Sequence, residues 1–254
     1  MRIAVCVKRV PITGGRIVLA EDARSINTQH LGFTISPHEE CGVEEAVRLI
    51  EANKGDSVVL TLGPPEAVEQ LRDAMALGID RAIHLQTDGS EWDGEATAGA
   101  LLDAISADEA ANGPFDIVFY GNESADSAGF QVGIRIAYAL GRPCVTGLKK
   151  VTIDGTSVRC EQEVEGGRDV YVVPLPAVLT VKEGLNLPRY PSVPGKMRAR
   201  TKPVAVSAPA RPEPRLELVK LAVPAGQGRR AESLGSGAAA APAIVEMLQK
   251  AGII

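Results

Sequence analysis

The first 140 residues alternate short apolar runs with amphipathic segments, and this alternation constrains the fold more than any other feature of the chain. Residues 2–7 form a nearly continuous apolar run, which is typical of a strand buried on both faces of a sheet. In residues 39–53 the apolar side chains recur at helical spacing. The alternation predicts a doubly wound α/β fold, in which helices cover both faces of an open parallel sheet.

The same patterns place the remaining elements along the chain. Two prolines at positions 64 and 65 suit the start of a helix, and Gly78 suits its end. Beyond residue 143, an Asp154-Gly155 turn predicts a small β hairpin, because this pair readily adopts the positive φ angles of a tight turn. We predict strands at residues 57–62, 81–86, 115–120, 150–153, 157–164, 171–173 and 177–181, and helices that end near residue 77 and span 93–105 and 127–140.

The composition changes from residue 184 onward, where prolines and basic residues become frequent. Seven prolines between positions 188 and 214 argue against long helices, because proline removes a backbone donor and clashes with the preceding turn. We therefore expect an extended arm that lies against a partner and ends in a helix over residues 241–252. The predicted organisation is an α/β domain with an added hairpin at 1–183 and the arm at 184–254.

Charge and cysteine content exclude several classes of protein. The chain has 27 Lys and Arg against 32 Asp and Glu, and a net charge of −5 argues against a nucleic-acid binder, which normally shows a basic face. Its four cysteines lack CxxC spacing, which argues against a disulfide framework or a zinc site. The first apolar run is too short for a signal peptide, and no stretch reaches the length of a membrane span. We expect a cytoplasmic protein that does not insert into a membrane.

Common enzyme signatures are missing from the sequence. No GxxxxGK[ST] phosphate loop occurs, and with only three histidines a hydrolytic triad has little support. His38-Glu39-Glu40-Cys41 starts like a zinc-protease helix but lacks the second histidine, so we expect no metal site. Residues 226–231 (GQGRRA) superficially resemble a dinucleotide loop, yet no predicted strand precedes them. The sequence therefore offers no candidate catalytic residue.

Topology predicts a ligand site, because ligands of open α/β sheets bind beyond the carboxyl ends of the strands, where the connections diverge. The segments at those ends are residues 7–9, 62–65 and 121–133. The last one, GNESADSAGFQVG, combines small residues with side-chain acceptors just before a helix whose N–H groups favour a phosphate. Asp126 and Gln131 are suited to bind a base or a ribose. Alternatively, the glycines only form a turn and Asp126 only caps the helix, and the pattern leaves both interpretations open.

Residues 175–192, LPAVLTVKEGLNLPRYPS, resemble the signature region of the β subunit of electron transfer flavoprotein. Four further blocks that are similar to this family follow in the same register. They are residues 5–10, 43–49, 74–84 and 121–126. Because these blocks span nearly the whole chain, it is identified as a member of the electron transfer flavoprotein β-subunit family.

The resemblance implies one half of a heterodimer that carries electrons and transforms no substrate itself. In this family the α subunit holds most of an FAD and the β subunit binds a buried AMP. The pair accepts electrons from flavin-containing dehydrogenases and passes them to an acceptor such as electron transfer flavoprotein–quinone oxidoreductase. Domain 1–183 would then be the nucleotide-binding domain, and 184–254 would hold a recognition loop and an arm that wraps the partner.

The resemblance also assigns cofactor-binding positions. Those for AMP are Cys6, Ser36, Leu62, Ser124, Asp126, Ser127, Gln131 and Val132. Contact at Cys6 and Leu62 would run through the backbone, and core packing is the alternative for both. His38 falls where the family commonly has an aromatic residue near the flavin, so its imidazole is expected to face the isoalloxazine or to point away.

The extended stretch 190–200, which starts at Tyr190, resembles the loop with which this family recognises dehydrogenases. Val193 stands at the position of an exposed leucine anchor, and a single apolar anchor in a charged rim suits a transient interface. Its basic neighbours would steer an acidic partner. They are Lys196, Arg198, Arg200 and Lys202. The alternative is a solvated, proline-rich connector.

Two other functions remain open at this point. Flavin-bifurcating members of the family carry Asp-Gly-Asp in the loop after the fourth strand and bind a second FAD in place of AMP. Here the loop reads Asp126-Ser127-Ala128, which favours AMP and simple electron transfer. A free-standing nucleotide-sensing domain is the second alternative. The proline-rich tail disfavours it, because such a tail needs a partner surface to become ordered.

Overall fold

A computed structural model describes residues 1–12, 17–224 and 233–254, so the GQGRRA segment lies outside the described residues. The strands are β1 (Arg2–Cys6), β2 (Val10–Pro11), β3 (Phe33–Thr34), β4 (Asp56–Gly63), β5 (Arg81–Gln86), β6 (Ile117–Gly121), β7 (Cys144–Asp154), β8 (Ser157–Val164), β9 (Gly167–Pro174), β10 (Ala177–Val181) and β11 (Val204–Ser207). Within this part of the chain, nine strands form one sheet in the order β11-β5-β4-β1-β6-β10-β7-β8-β9, and β2 pairs with β3. The sheet is parallel from β11 to β7, and β8 and β9 extend it antiparallel.

The helices are α1 (Pro37–Asn53), α2 (Val68–Leu77), α3 (Gly94–Asn112), α4 (Val132–Leu140), α5 (Val193–Ala199) and α6 (Ala241–Lys250). Successive side chains of a strand point to opposite faces of the sheet, and this alternation separates two hydrophobic cores. Ile3 and Val5 of β1 pack in the core beneath α1 and α2, whereas Ala4 and Cys6 pack in the core beneath α3 and α4. Helices therefore cover both faces, which confirms the predicted doubly wound α/β fold. No helix among the described residues is long and apolar enough to cross a membrane.

Several predicted boundaries need correction. Helix α3 continues beyond residue 105 to Asn112, and α4 begins at Val132 rather than at residue 127. The delay has a local cause, because Ala128 and Phe130 adopt left-handed φ angles of 47° and 54°, which a right-handed helix does not accommodate. The strands predicted at 150–153 and 171–173 are parts of the longer β7 and β9.

The stretch 190–200 is not extended throughout, because it contains α5. The Ser192 side chain caps this helix by accepting a hydrogen bond from the Gly195 N–H at 3.1 Å, and Pro194 lies in its first turn, where a missing N–H costs nothing. Gly195 packs so closely on α2 that a Cβ there would lie 2.4 Å from the Ala76 carbonyl oxygen. Beyond α5, the arm contributes β11, which pairs with β5 at the edge of the main sheet.

Candidate functional site

The connections of the sheet diverge between β1 and β6. From β1 the chain passes through α1 to β4 on one side, whereas from β6 it passes through α4 to β7 on the other side. Sheets of this class bind ligands in the crevice at such a switch point. Here the crevice lies between the residues that follow β1 and the loop 121–131 that follows β6, and we call it the switch-point cleft.

Lys8 spans the switch-point cleft. Its Nζ lies 2.7 Å from Asp126 Oδ2 and 2.8 Å from Glu91 Oε1. Burial opposes the charge of each group, but the attraction between Lys8 and the carboxylates outweighs it. The pKa of Lys8 is therefore raised and the pKa of Asp126 is lowered. Asp126 does not cap α4, so the capping alternative is wrong.

Glu39 joins the end of β1 to the start of α1. Its carboxylate accepts hydrogen bonds from the backbone N–H of Lys8 at 3.0 Å and of Ser36 at 3.3 Å. Burial raises the pKa of Glu39 to about 8, although both N–H groups favour the charged form. Because it holds the backbone after β1 and at the start of α1, Glu39 fixes one wall of the cleft. In the sequence, Glu39 stood out only as part of the incomplete zinc-protease motif at residues 38–41.

Two buried hydroxyl groups lie close to the cleft. Ser36 forms a capping box with Glu39 at the start of α1. Tyr120 Oη meets no hydrogen-bond partner with acceptable geometry among the described residues, and it lies beside Cys6, whose thiol stays protonated because burial raises its pKa to about 12. Both oxygens are covered from solvent, so a ligand in the cleft would contact them only after a local shift of the side chains.

Loop 121–131 places the first turn of α4 next to the cleft. Ser124 Oγ and Ser127 Oγ lie 2.9 Å apart within the loop. The helix that follows packs tightly on β6, because a Cβ on Gly133 would lie 3.2 Å from the Tyr120 ring. No acidic side chain occupies the first turn of α4, so its backbone N–H groups suit an anion such as a phosphate.

The predicted cofactor residues all belong to segments at the carboxyl edge of the sheet. Cys6 ends β1, Ser36 precedes α1, and Leu62 lies near the end of β4. The remaining AMP positions lie in loop 121–131 or open α4; they are Ser124, Asp126, Ser127, Gln131 and Val132. Lys8, Glu39 and Tyr120 were not predicted. The feature of the sequence that could have identified them is their position near the ends of strands or at the start of a helix.

His38 lies in the first turn of α1 and is fixed by two neighbours. Its Nδ1 accepts a hydrogen bond from the Glu183 backbone N–H at 3.2 Å, and its Nε2 lies 3.7 Å from Glu123 Oε1. In the neutral ring the proton must therefore be on Nε2. The imidazole is held by backbone rather than left free to turn.

Residues 184–200, which we call the recognition segment, present apolar side chains to solvent. Leu187 and Tyr190 are more than nine-tenths exposed, and Val193 is 73% exposed. Arg189 anchors the segment to α1, because its guanidinium binds Glu44 at 2.9–3.2 Å and Glu51 at 2.7–3.0 Å. The recognition segment is therefore an exposed surface that is fixed in place on α1.

The basic residues in and just after the recognition segment are not equivalent. Lys196, Arg198 and Arg200 are exposed, as their predicted role requires. Lys202, in contrast, directs its ammonium at the carbonyl oxygens that end α2, at 2.6 Å from Ile79 and 3.1 Å from Met75. The Lys202 ammonium is therefore engaged within the fold, where its charge stabilises the end of a helix, and its predicted role in steering a partner stays a prediction.

The fold and the cleft define the class: a doubly wound α/β protein with a polar crevice at its switch point. A family model described as the electron transfer flavoprotein domain matches residues 24–212. The chain is 35% identical over 206 residues to the electron transfer flavoprotein subunit beta of Bacillus subtilis, covering 80% of this chain and 77% of that protein. It is 36% identical to the subunit of Mycobacterium tuberculosis strain H37Rv, over 80% and 77%, and 34% identical to the mitochondrial subunit of Arabidopsis thaliana, over 80% of each chain. The chain belongs to the electron transfer flavoprotein β-subunit family, which confirms the predicted resemblance.

Proposed function

We propose that the chain is the β subunit of a heterodimeric electron transfer flavoprotein, and that AMP binds in its switch-point cleft. The relatives that match this chain over most of their length are named electron transfer flavoprotein subunit beta. The observation that supports AMP most directly is the Lys8–Asp126 ion pair, which crosses the switch-point cleft at 2.7 Å. It lies where topology expects a ligand, next to a helix start that suits a phosphate.

The residues of the cleft divide the work of holding AMP. Ser36 and Tyr120 supply hydroxyl groups, the first turn of α4 supplies N–H groups for the phosphate, and Asp126 supplies a carboxylate for ribose hydroxyls. Lys8 keeps Asp126 ionised and in place at 2.7 Å. AMP has no redox role in this assignment. It fills the cleft and stabilises only the native state.

The flavin supplies the redox chemistry when it is bound, mainly by the α subunit. This chain contributes His38, whose Nδ1 is occupied by the Glu183 N–H, so that Nε2–H is the group left to donate to a flavin atom. The chain supplies no catalytic residue in this proposal and acts as a carrier subunit, not as an enzyme. We place it in the cytoplasm without contact to nucleic acid.

The recognition segment is proposed to dock on flavin-containing dehydrogenases, and the reduced protein passes electrons to an acceptor such as a quinone oxidoreductase. Tyr190 and Val193 supply exposed apolar contacts. Lys196, Arg198 and Arg200 surround them with positive charge and are expected to raise the rate of association with an acidic partner. The arm beyond the segment wraps the α subunit in this proposal.

Cofactor content tests the assignment. The chain is co-purified with its α subunit, the complex is denatured, and FAD and AMP are quantified against protein by chromatography. One FAD and one AMP per heterodimer are expected. Two FAD and no AMP would contradict AMP binding and make this a flavin-bifurcating subunit. A stable monomer that takes no partner would favour a free-standing nucleotide-sensing domain.

A further inference from the structure

Residues 87–91, which we call the bridging loop, lie between β5 and α3 and cross the carboxyl end of β4. Strand β4 lies between β5 and β1 in the sheet, so a loop that leaves β5 in this direction approaches the end of β1. The Thr87 N–H donates to the Gly63 carbonyl at 2.9 Å, and a Cβ on Gly89 would lie 3.6 Å from Pro64 Cβ. The bridging loop therefore covers the turn that follows β4.

The far end of the bridging loop completes a chain of ion pairs across the switch-point cleft. Glu91 Oε1 lies 2.8 Å from Lys8 Nζ, which in turn lies 2.7 Å from Asp126 Oδ2. These contacts join the loop after β5 to the loop after β6. The ends of β4 and β1, which carry the proposed AMP positions Leu62 and Cys6, lie between the two loops. A ligand at those strand ends is therefore spanned by the Glu91–Lys8–Asp126 bridge.

The two ends of this bridge differ in strength. The Asp126 side chain is 20% exposed and the Lys8 side chain 31%, whereas the Glu91 side chain is 69% exposed. Water and salt screen an exposed ion pair, so such a pair is weak and opens readily. A partly buried pair is screened much less. The bridge therefore opens between Glu91 and Lys8, while Lys8 stays on Asp126.

The arm holds the bridging loop from the outside. Arg211 donates to Ser90 Oγ at 2.9 Å and to the Glu91 carbonyl at 2.6 Å. Trp92, which follows the loop, is buried in the core beneath α3 and α4, whereas residues 88–91 are exposed. The contacts of Glu91 with Lys8 and of Arg211 with the loop therefore hold its exposed middle in place.

We propose that the bridging loop is a gate on the switch-point cleft, which Glu91 closes through Lys8 and which Arg211 latches from the arm. The inference rests on the proposed AMP site and adds its regulation, because AMP enters and leaves when the Glu91–Lys8 contact opens. The bridge closes again over the bound ligand. A weaker bridge therefore raises the rates of association and release together and leaves the dissociation constant nearly unchanged. Glu91 and Arg211 are positioning residues, since neither is proposed to touch AMP.

Release of ¹⁴C-labelled AMP tests the gate on the full chain co-purified with its α subunit. A chase with excess unlabelled AMP gives the release rate, and equilibrium dialysis gives the dissociation constant. Glu91→Gln should release AMP about threefold faster, with a dissociation constant within about twofold of the wild type. High salt should speed release from the wild type more than from Glu91→Gln, because salt screens the Glu91–Lys8 pair. Glu66→Gln removes the same charge at an exposed position after β4 and should release AMP at the wild-type rate.

Two variants of the arm test the latch. Arg211→Ala should also speed release without changing the dissociation constant. Arg215→Ala is the matched control and should release AMP at the wild-type rate, because Arg215 pairs with Glu95 of α3 at 3.0 Å.

Three outcomes would overturn the gate. Release from Glu91→Gln at the wild-type rate would show that the Glu91–Lys8 contact does not limit exchange. Faster release that is matched by an equal rise in the dissociation constant would make Glu91 a ligand contact and not a gate. A wild-type complex that binds no AMP would overturn the proposed function itself, and the gate with it.

Discussion

The switch-point cleft and the recognition segment differ in the kind of side chain that each leaves without a partner. Beside the cleft the Tyr120 hydroxyl is buried and has no partner among the described residues, whereas the segment exposes apolar side chains to solvent. A buried hydroxyl such as that of Tyr120 favours a ligand that stays bound while the protein is folded. An exposed side chain such as Tyr190 tolerates water and needs a partner only for part of the time. The contrast supports the proposals of a resident ligand in one region and a transient protein contact in the other.

Helix α1 holds both regions in place. Its first turn carries Glu39, which fixes the backbone at the cleft, and its later turns carry Glu44 and Glu51, which hold Arg189 of the recognition segment. The two regions therefore share one rigid element. Glu39 can be substituted, and Glu44 can be left without its partner by substituting Arg189. The change in the free energy of unfolding then shows how strongly each region depends on the helix.

The largest effect is expected from the charge of Glu39. Its pKa is raised to about 8 in the folded protein, above the usual value of 4.5, so folding favours the protonated form. The stability that this carboxyl contributes is complete below pH 4.5 and is lost as pH rises through 8. Glu39→Gln keeps an acceptor for the Lys8 and Ser36 N–H groups but cannot ionise. Urea unfolding between pH 5 and 8 should show a loss of roughly 2–4 kcal/mol in the wild type that Glu39→Gln lacks.

Glu66→Gln is the matched control for the pH experiment, because it makes the same change at an exposed carboxyl group. It should keep the slope of the wild type. Equal slopes in Glu39→Gln and the wild type would show that Glu39 is not buried in its protonated form.

The next largest effect concerns Arg189 in the recognition segment. Arg189→Ala leaves Glu44, whose side chain is 5% exposed, without its bidentate partner. Breaking a buried ion pair costs about 3–5 kcal/mol. Because Arg189 itself is 37% exposed, we expect roughly 2–3 kcal/mol of lost unfolding free energy in urea.

Arg168→Ala provides the control for that loss. Arg168 also pairs with a buried carboxylate, Glu161, but Lys150 and Arg159 remain as partners there. We expect less than about 1 kcal/mol. A similar loss in both variants would mean that the segment gains nothing special from its anchor on α1.

Tyr120→Phe tests the cleft through a smaller effect on stability, and the sign of this effect should change when AMP is bound. Without nucleotide, Tyr120→Phe removes a hydroxyl that has no partner among the described residues, and should be neutral or stabilise by about 1 kcal/mol. With saturating AMP, the same variant lacks one hydrogen bond and should be less stable than the wild type. Thermal unfolding with and without AMP measures both values.

Thr61→Val calibrates this experiment. The Thr61 hydroxyl donates to the Val7 carbonyl at 2.8 Å, so its removal should cost about 1 kcal/mol whether or not AMP is present. If Tyr120→Phe behaves like Thr61→Val in both conditions, the Tyr120 hydroxyl does not contact the nucleotide.

The sequence predicts the sheet, and with it the strand ends that surround the cleft, because hydrophobic periodicity and turn residues act locally. The strand at 81–86 and the one at 177–181 were predicted to the residue. Helix α4 was misplaced because left-handed backbone at Ala128 and Phe130 is not the usual preference of those residue types. Interactions between distant residues were missed for a different reason. The Lys8–Asp126 pair and the Arg189–Glu44 pair join residues more than one hundred positions apart, so no local sequence pattern predicts them.

The smallest effect on stability, and the most specific effect on function, is expected from Val193→Ala. The side chain is 73% exposed, so its truncation should change the free energy of unfolding by less than about 0.5 kcal/mol. If Val193 is an apolar anchor, the partner buries it on docking, and losing two carbon atoms there should weaken the complex by up to about tenfold. Stopped-flow reduction of the flavin at limiting dehydrogenase concentration measures this loss.

Val172→Ala makes the same truncation at a side chain that is 62% exposed on β9, outside the recognition segment, and should leave the reduction rate unchanged. Flavin content should stay equal in both variants and the wild type. A loss of flavin in Val193→Ala would instead assign the side chain a structural role within the heterodimer. Slower reduction at full flavin content, seen in Val193→Ala alone, would separate the transient contact of the recognition segment from the resident ligand of the cleft.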